Sequence, residues 1–250
     1  MIFVDQIRQF SMKNLRPLIH KTGFDVVRFP PRKYNFLITL LKNHNVDTVI
    51  DVGANLGQYA TEIRSEGFDG RILSIEPVPE VFNSLQKAKA KDSKWSGFNF
   101  ALGAENGTTQ INLTNFSDLS SILEPTEYAK SVAPAFEVKE KIQIQLKTLD
   151  TFWNENKLDN SKVFLKLDCQ GFEEQILQGA NESLQKVVGV QMELSLKALY
   201  KNQRLYNDSI AFMKENKFEL YHILPVFSDV NTGQLLDMDG FFFKSYTNPV

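Results

Sequence analysis

The stretch that decides the fold runs from Thr48 to Thr61, "TVIDVGANLGQYAT". An apolar run reaches Asp51, Gly53 and Gly57 follow with Asn55 between them, and a helix-like sequence begins. This reads as a buried strand, a tight turn and a helix. Gly53 lets the backbone approach a ligand and take a positive φ. Asn55 tolerates left-handed geometry better than most residues. Gly57 lies where the helix packs on the strand, and the free N–H groups of the helix start suit an electron-rich ligand group.

Downstream, "LSIEP" puts Glu76 at the end of a second strand. That is roughly the 20-residue spacing at which an acid holds ribose hydroxyls. Both features fall at carboxyl ends of neighbouring strands, where open parallel sheets bind ligands. The spacing therefore predicts an adenosine-containing ligand. Asp51 separates the candidates: an acid repels a pyrophosphate but suits the ammonium of a methionine moiety. S-adenosylmethionine is favoured on this ground, and an NAD-type Rossmann oxidoreductase is the alternative.

Further along, strand-like and helix-like segments alternate. "DTVIDVG", "RILSIEP" and "WSGFNFALG" read as strands, separated by helices at "GQYATEIRSEG" and "PEVFNSLQKAKAKD". "TTQINLT" and "EKIQIQLKTLD" alternate with period two and read as an extra hairpin. The looser stretch between them, residues 115–136, is long enough to be functional. The parallel pattern resumes with "KVFLKLD", the helix "GFEEQILQGANESLQ", "VVGVQMELS", "DSIAFMKENK" and "FELYHILPVF". The final strand, "DMDGFFFKSY", follows too closely for a helical crossover and must pair antiparallel. The expectation is an α/β Rossmann-like fold. Its sheet is mostly parallel and seven-stranded, with one antiparallel strand near the end and helices on both faces.

Composition bounds the partners. Among 250 residues the net charge is -2, which gives no reason to expect nucleic acid. Residues 1–46 carry eight Lys/Arg against two acids, +6, leaving -8 for the remainder. They read as a basic helical arm ahead of a domain at residues 47–250. The arm is expected to pack through Ile7, Leu15, Leu18 and Ile19, with weak peripheral membrane contact as the second use of its charge. No apolar run spans a bilayer. Cys169 is the single cysteine, which fits a reducing cytoplasm. No Cys/His cluster has zinc spacing.

Several separated blocks resemble the FkbM family of methyltransferases over roughly Asp47 to Lys244. They are "IDVGANLGQYA", "SIEPVPEVF", "ALGAENG", "LSSIL", "LKTLDTF", "FLKLDCQGFEEQILQGA", "QMELSLKALY" and "MDGFFF". The most specific is the Asp-x-Gln-Gly-x-Glu block at Asp168 to Glu173. The resemblance implies the class I methyltransferase fold and methyl transfer from S-adenosylmethionine to a hydroxyl of a sugar or natural-product scaffold. It makes Asp51, Gly53, Asn55 and Gly57 the cofactor turn, Glu76 the ribose ligand, and Asn99 to Leu102, Asn99 and Ala101 among them, the flank of the adenine.

A hydroxyl acceptor needs its proton removed. His20, His44 and His222 are poorly placed and read as structural. Asp168 ends its strand, Glu193 lies near the end of the next, and Asp239 starts the last. All three belong to the sheet edge of the cofactor turn. They form a base with supporting groups, or oxygen ligands for a divalent ion such as magnesium, which the reaction does not require. Lys166 shares a strand face with Asp168 and pairs with an acid. Glu173 belongs in the first turn of the next helix, where the dipole favours it. Ser121, with Ser120, reaches the cofactor or the substrate, and Tyr200, Arg204 and Tyr206 line an acceptor pocket with Asp239. A small molecule or glycan is the expected acceptor. A catalytically silent cofactor-binding module is the remaining alternative.

Overall fold

The computed structural model describes residues 17, 19–23 and 33–244. The chain divides into residues 1–36 and 37–250. In the first unit, Thr22 closes a helical turn by donating its hydroxyl to the Ile19 carbonyl (2.6 Å). Ile7, Leu15 and Leu18, expected to pack the arm, lie outside the described residues.

The elements run α1 (Asn35–Asn43), β1 (Thr48–Val52), α2 (Gln58–Glu66), β2 (Arg71–Ile75), α3 (Pro79–Ala88), β3 (Trp95–Phe98), β4 (Ala101–Leu102) and β5 (Gly107–Leu113). After these come α4 (Glu127–Val132), β6 (Glu140–Lys147), α5 (Leu149–Glu155), β7 (Val163–Leu167), α6 (Glu173–Gln178) and α7 (Ser183–Lys186). Last are β8 (Gly189–Ser195), α8 (Tyr206–Glu215), β9 (Phe218–Ser228) and β10 (Leu235–Lys244). None of the described helices is long and apolar enough to cross a membrane.

Every residue of β1 is buried, as is every residue of β7. Strands buried on both faces belong at the centre of a parallel sheet. The seven strands lie in the order β3-β2-β1-β7-β8-β10-β9. All neighbours pair in parallel except β10, which runs antiparallel to β8 and β9. The expected antiparallel end of the sheet is therefore a single strand inserted between two others. On one face Ile50, Val52, Leu165, Leu167, Met192 and Leu194 join Phe152 and Trp153 of α5, Ile176 of α6 and Met213 of α8 in one core. The other face follows by alternation. It starts apolar, with Phe164 stacked on Phe243 at 5.4 Å, and turns polar toward the carboxyl ends.

Three local expectations change. "WSGFNFALG" is two strands in two sheets. β3 ends the large sheet, while β4 joins β6 and β5 in a three-stranded one. The side-chain amide of Asn99 causes the break by donating to the carbonyls of Glu76 (2.9 Å) and Pro77 (3.0 Å). The helix expected over Gly171 to Gln185 divides into α6 and α7, because Asp150 accepts from the N–H groups of Glu182 and Ser183 and restarts the turn. The tail of "EKIQIQLKTLD" is helical: Thr148 caps α5 by accepting from the Thr151 N–H (3.0 Å).

Candidate active site

The turn after β1 is held open by its backbone. Gly53, Asn55 and Gly57 all take positive φ, at 71°, 48° and 88°. A Cβ on Gly53 would meet the Asp168 carbonyl oxygen at 1.9 Å, so only glycine lets the β1 and β7 ends approach so closely. The N–H groups of Gly53 and Ala54 both donate to the Ile75 carbonyl (3.0 Å). Gly57 is the N-cap of α2 and supplies no side chain to its open N–H groups. Glu76 braces the turn by accepting from the N–H groups of Asn55 and Val78, each at 2.9 Å. Burial pushes its carboxyl up to about 7, although both N–H donors and Lys166 pull the other way.

Beside this turn lies an open cleft of about 660 Å³, its solvent-filled mouth included. Its walls combine the apolar Val78, Ala101, Leu102, Ile111, Ile122 and Phe172 with the polar Asn55, Glu76, Ser121 and Asp168. A nucleoside fits this chemistry: an apolar slot for a base, and carboxylate oxygens of Glu76 with lone pairs left for hydroxyls. S-adenosylmethionine would be held by Gly53, Asn55 and Glu76 on one side and by Ala101, Leu102 and Ile111 on the other.

Residues 114–126 cross this cleft as a strap. Ser117 donates to the Asn55 side-chain oxygen (2.8 Å), and Ser121 donates to the Gln170 carbonyl (2.8 Å). Tyr200 donates its one O–H between the Leu119 carbonyl (3.1 Å) and the Gln170 side-chain oxygen (2.9 Å). Gln170 is thus a hub, and its φ of 54° lets it turn back to meet the strap. Sequence reasoning passed over Gln170; the signal was its place beside Gly171 in the Asp168–Glu173 block.

Several proposed site residues lie elsewhere. Asp51 was expected to meet the donor's ammonium, but its carboxylate is wholly buried at 3.0 Å from Lys166 Nζ and accepts from the Ser74 hydroxyl (3.1 Å). It braces the strand instead of lining the cleft. Lys166, expected among the catalytic group, is equally buried and also donates to the Gly53 carbonyl (3.2 Å). Burial alone would lower its pKa, but Asp51 and Asp168 outweigh it and hold the ammonium well above the ordinary lysine range. Asn99 faces the Glu76–Pro77 backbone and not the cleft. Tyr200 is a buried anchor for the strap, which removes it from an exposed acceptor pocket. Arg204 pairs with Glu174 and lies over the Phe212 ring. Tyr206 opens α8 and is exposed.

Asp168, Glu193 and Asp239 do come to one sheet edge. Asp168 follows β7, lines the cleft and leaves 45% of its side chain exposed. Its Oδ2 is 3.4 Å from Lys166 Nζ, and its Oδ1 accepts from Gln170 (3.1 Å). Glu193 and Asp239 are direct cross-strand partners, so Asp239 sits inside β10 instead of at its start. Glu173, the first residue of α6, is buried and accepts from the Cys169 N–H (2.8 Å). Burial raises the Cys169 thiol well above its ordinary range, the opposite of what activates a nucleophile. Among the described residues no three His, Cys, Asp or Glu side chains converge as metal ligands do.

Residues 51–220 match the model of the methyltransferase FkbM domain. Methyltransferase sdnD of Sordaria araneosa is 26% identical over 156 residues, which cover 54% of this chain and 60% of that protein. The chain thus matches less than two thirds of that relative's length. Among solved structures, an S-adenosylmethionine-dependent methyltransferase from Aquifex aeolicus has a TM-score of 0.41 at 11% identity, covering 86% of this chain and 94% of that one. Precorrin-6y C5,15-methyltransferase from Geobacter metallireducens has a TM-score of 0.43 at 11% identity, covering 90% and 95%. With the family model spanning more than half of its length, the chain belongs to the FkbM methyltransferases, and residues 51–220 form its methyltransferase FkbM domain.

Proposed function

We propose that this protein transfers a methyl group from S-adenosylmethionine to a hydroxyl of a sugar, glycan or glycosylated metabolite. The observation that carries the reading is Asp168. It is the carboxylate at the carboxyl end of β7 that both lines the cleft and stays partly open. The donor supplies an activated methyl on a good leaving group, so the chain mainly aligns the partners and receives a proton. Lys166 and Gln170 hold the Asp168 carboxylate in place, and Asp168 accepts the hydroxyl proton as the acceptor oxygen attacks. The strap of residues 114–126 covers the donor side, lining the cleft with Ser117, Ser121 and Ile122.

Family membership supports the methyl donor, and a strand-end carboxylate supports oxygen as the acceptor atom. Asp168→Asn keeps the hydrogen-bonding shape and removes the base. It is expected to lower kcat by about 10²–10⁴ with a sugar acceptor while the affinity for S-adenosylhomocysteine stays within about twofold. Turnover at the parent rate would remove Asp168 from the mechanism.

A further inference from the structure

A donor that carries an ammonium needs an acceptor for it, and the fold removes the one the sequence suggested. Asp51 is wholly buried against Lys166 and does not line the cleft. Three carboxylates do line it, Glu76, Asp118 and Asp168, and among the described residues no lysine or arginine does. Two of the three are engaged. Glu76 accepts from the N–H groups of Asn55 and Val78. Asp168 lies 3.4 Å from Lys166 Nζ and accepts from Gln170. Asp118 is exposed, and among the described residues it has neither a hydrogen bond nor an ion pair.

The strap fixes where this carboxylate stands. Its second half is anchored. The Asn112 side-chain amide donates to the carbonyls of Ser121 (3.0 Å), Ile122 (3.2 Å) and Leu123 (2.9 Å), and the Thr126 N–H donates to the Leu199 carbonyl (2.8 Å). Its tip is one 3-10 turn, Ser117–Leu119, tied at both ends. Ser117 donates to the Asn55 side chain, and the Leu119 carbonyl accepts from Tyr200. Asp118 is the residue between the two ties. Asn55 thus carries Glu76 on its backbone N–H and the strap tip on its side chain.

The donor has three parts to seat. Its base suits the apolar slot at Ala101, Leu102 and Ile111, and its ribose suits Glu76. The amino-acid end then continues past Glu76 toward Gly53 and Asn55, where the strap tip is tied. Its carboxylate suits the open N–H groups at the start of α2, which leaves the ammonium without a partner. We propose that Asp118 binds this ammonium from the strap, so that the strap tip reads the amino-acid end of S-adenosylmethionine. This rests on the S-adenosylmethionine reading of the cleft and is independent of the acceptor. Two neutral hydrogen bonds hold the empty tip; the charge-assisted one adds to them while the donor is bound.

The test is titration calorimetry on the full chain at about pH 7.5. The ligands are S-adenosylhomocysteine and its des-amino form, which keeps the carboxylate and lacks the amine. The parent protein is expected to bind S-adenosylhomocysteine about tenfold more tightly than the des-amino form. Asp118→Asn keeps the size of an exposed side chain and removes its charge. It is expected to weaken S-adenosylhomocysteine about five- to tenfold and to leave the des-amino form within about twofold. Asp168→Asn is expected to keep the parent's preference. An unchanged preference in Asp118→Asn overturns the inference, and so does its loss in Asp168→Asn, which would move the ammonium to Asp168. Equal binding of the two ligands by the parent protein overturns the role of Asp118 alone, whereas binding of neither overturns the S-adenosylmethionine reading with it.

Discussion

The cleft beside β1 and β2 and the β8–β10 side of the sheet differ in how their polar groups are satisfied. On the β1–β2 side Glu76 holds two N–H groups, Ile75 holds two more, and Ser117 ties the strap to Asn55. On the β8–β10 side Gln191 Oε1 and Asp237 Oδ1 are buried without a hydrogen-bond partner. A satisfied site is preorganised and reads a shape known in advance. The turn and strap around the donor cleft are thus set by folding.

The sharpest way to break the first half is Gly53→Ala. Its Cβ cannot coexist with the Asp168 carbonyl at 1.9 Å, and the native φ is positive. The turn must shift, and affinity for S-adenosylhomocysteine is expected to fall about a hundredfold, since displacements near 1 Å cost that much in aligned sites. Equilibrium binding to the variant checks this.

Between the halves stands Lys166, which touches both the turn and Asp168. Lys166→Met leaves the wholly buried Asp51 without its partner. Chemical denaturation is expected to show a loss of about 3–5 kcal/mol, and adding Asp51→Asn should recover most of it. Equal stability of the single variant would mean that the pair does not join the two halves.

The smallest effect has the opposite sign and sharpens the second half. Burial raises Glu173 from 4.5 to about 7, helped by Asp168 and Asp237 and opposed by the Cys169 N–H. A carboxyl raised on folding contributes stability that is full below its unfolded value and lost as pH rises through its folded value. Glu173→Gln keeps an acceptor for the Cys169 N–H and stays neutral. Near pH 8 it is expected to melt about 3–6 °C above the parent, and near pH 4.5 at the same temperature. Thermal unfolding at the two pH values decides it.

The sequence carried the donor half better than the acceptor half for a physical reason. Glycines at fixed spacing, an acid at a strand end and a final strand too close for a helical crossover are local signals, and each has one main structural use. Asp51 shows the limit. Its place at a strand end suggested an exposed carboxylate, but its partner, Lys166, lies 115 positions away in β7, and only the sheet register brings them together. Lys166 was rightly paired with an acid, yet that acid is chiefly Asp51 at 3.0 Å, with Asp168 at 3.4 Å. Asn99, Tyr200 and Gln170 are long-range anchors in the same sense. The donor assignment consequently rests on the family and the sheet order, not on Asp51.

The account is tested most directly by calorimetry of the intact chain with S-adenosylhomocysteine and with NAD. It predicts one bound S-adenosylhomocysteine per chain, weakened about tenfold or more by Glu76→Ala, and no NAD binding. Tight binding of NAD with no binding of S-adenosylhomocysteine would contradict it.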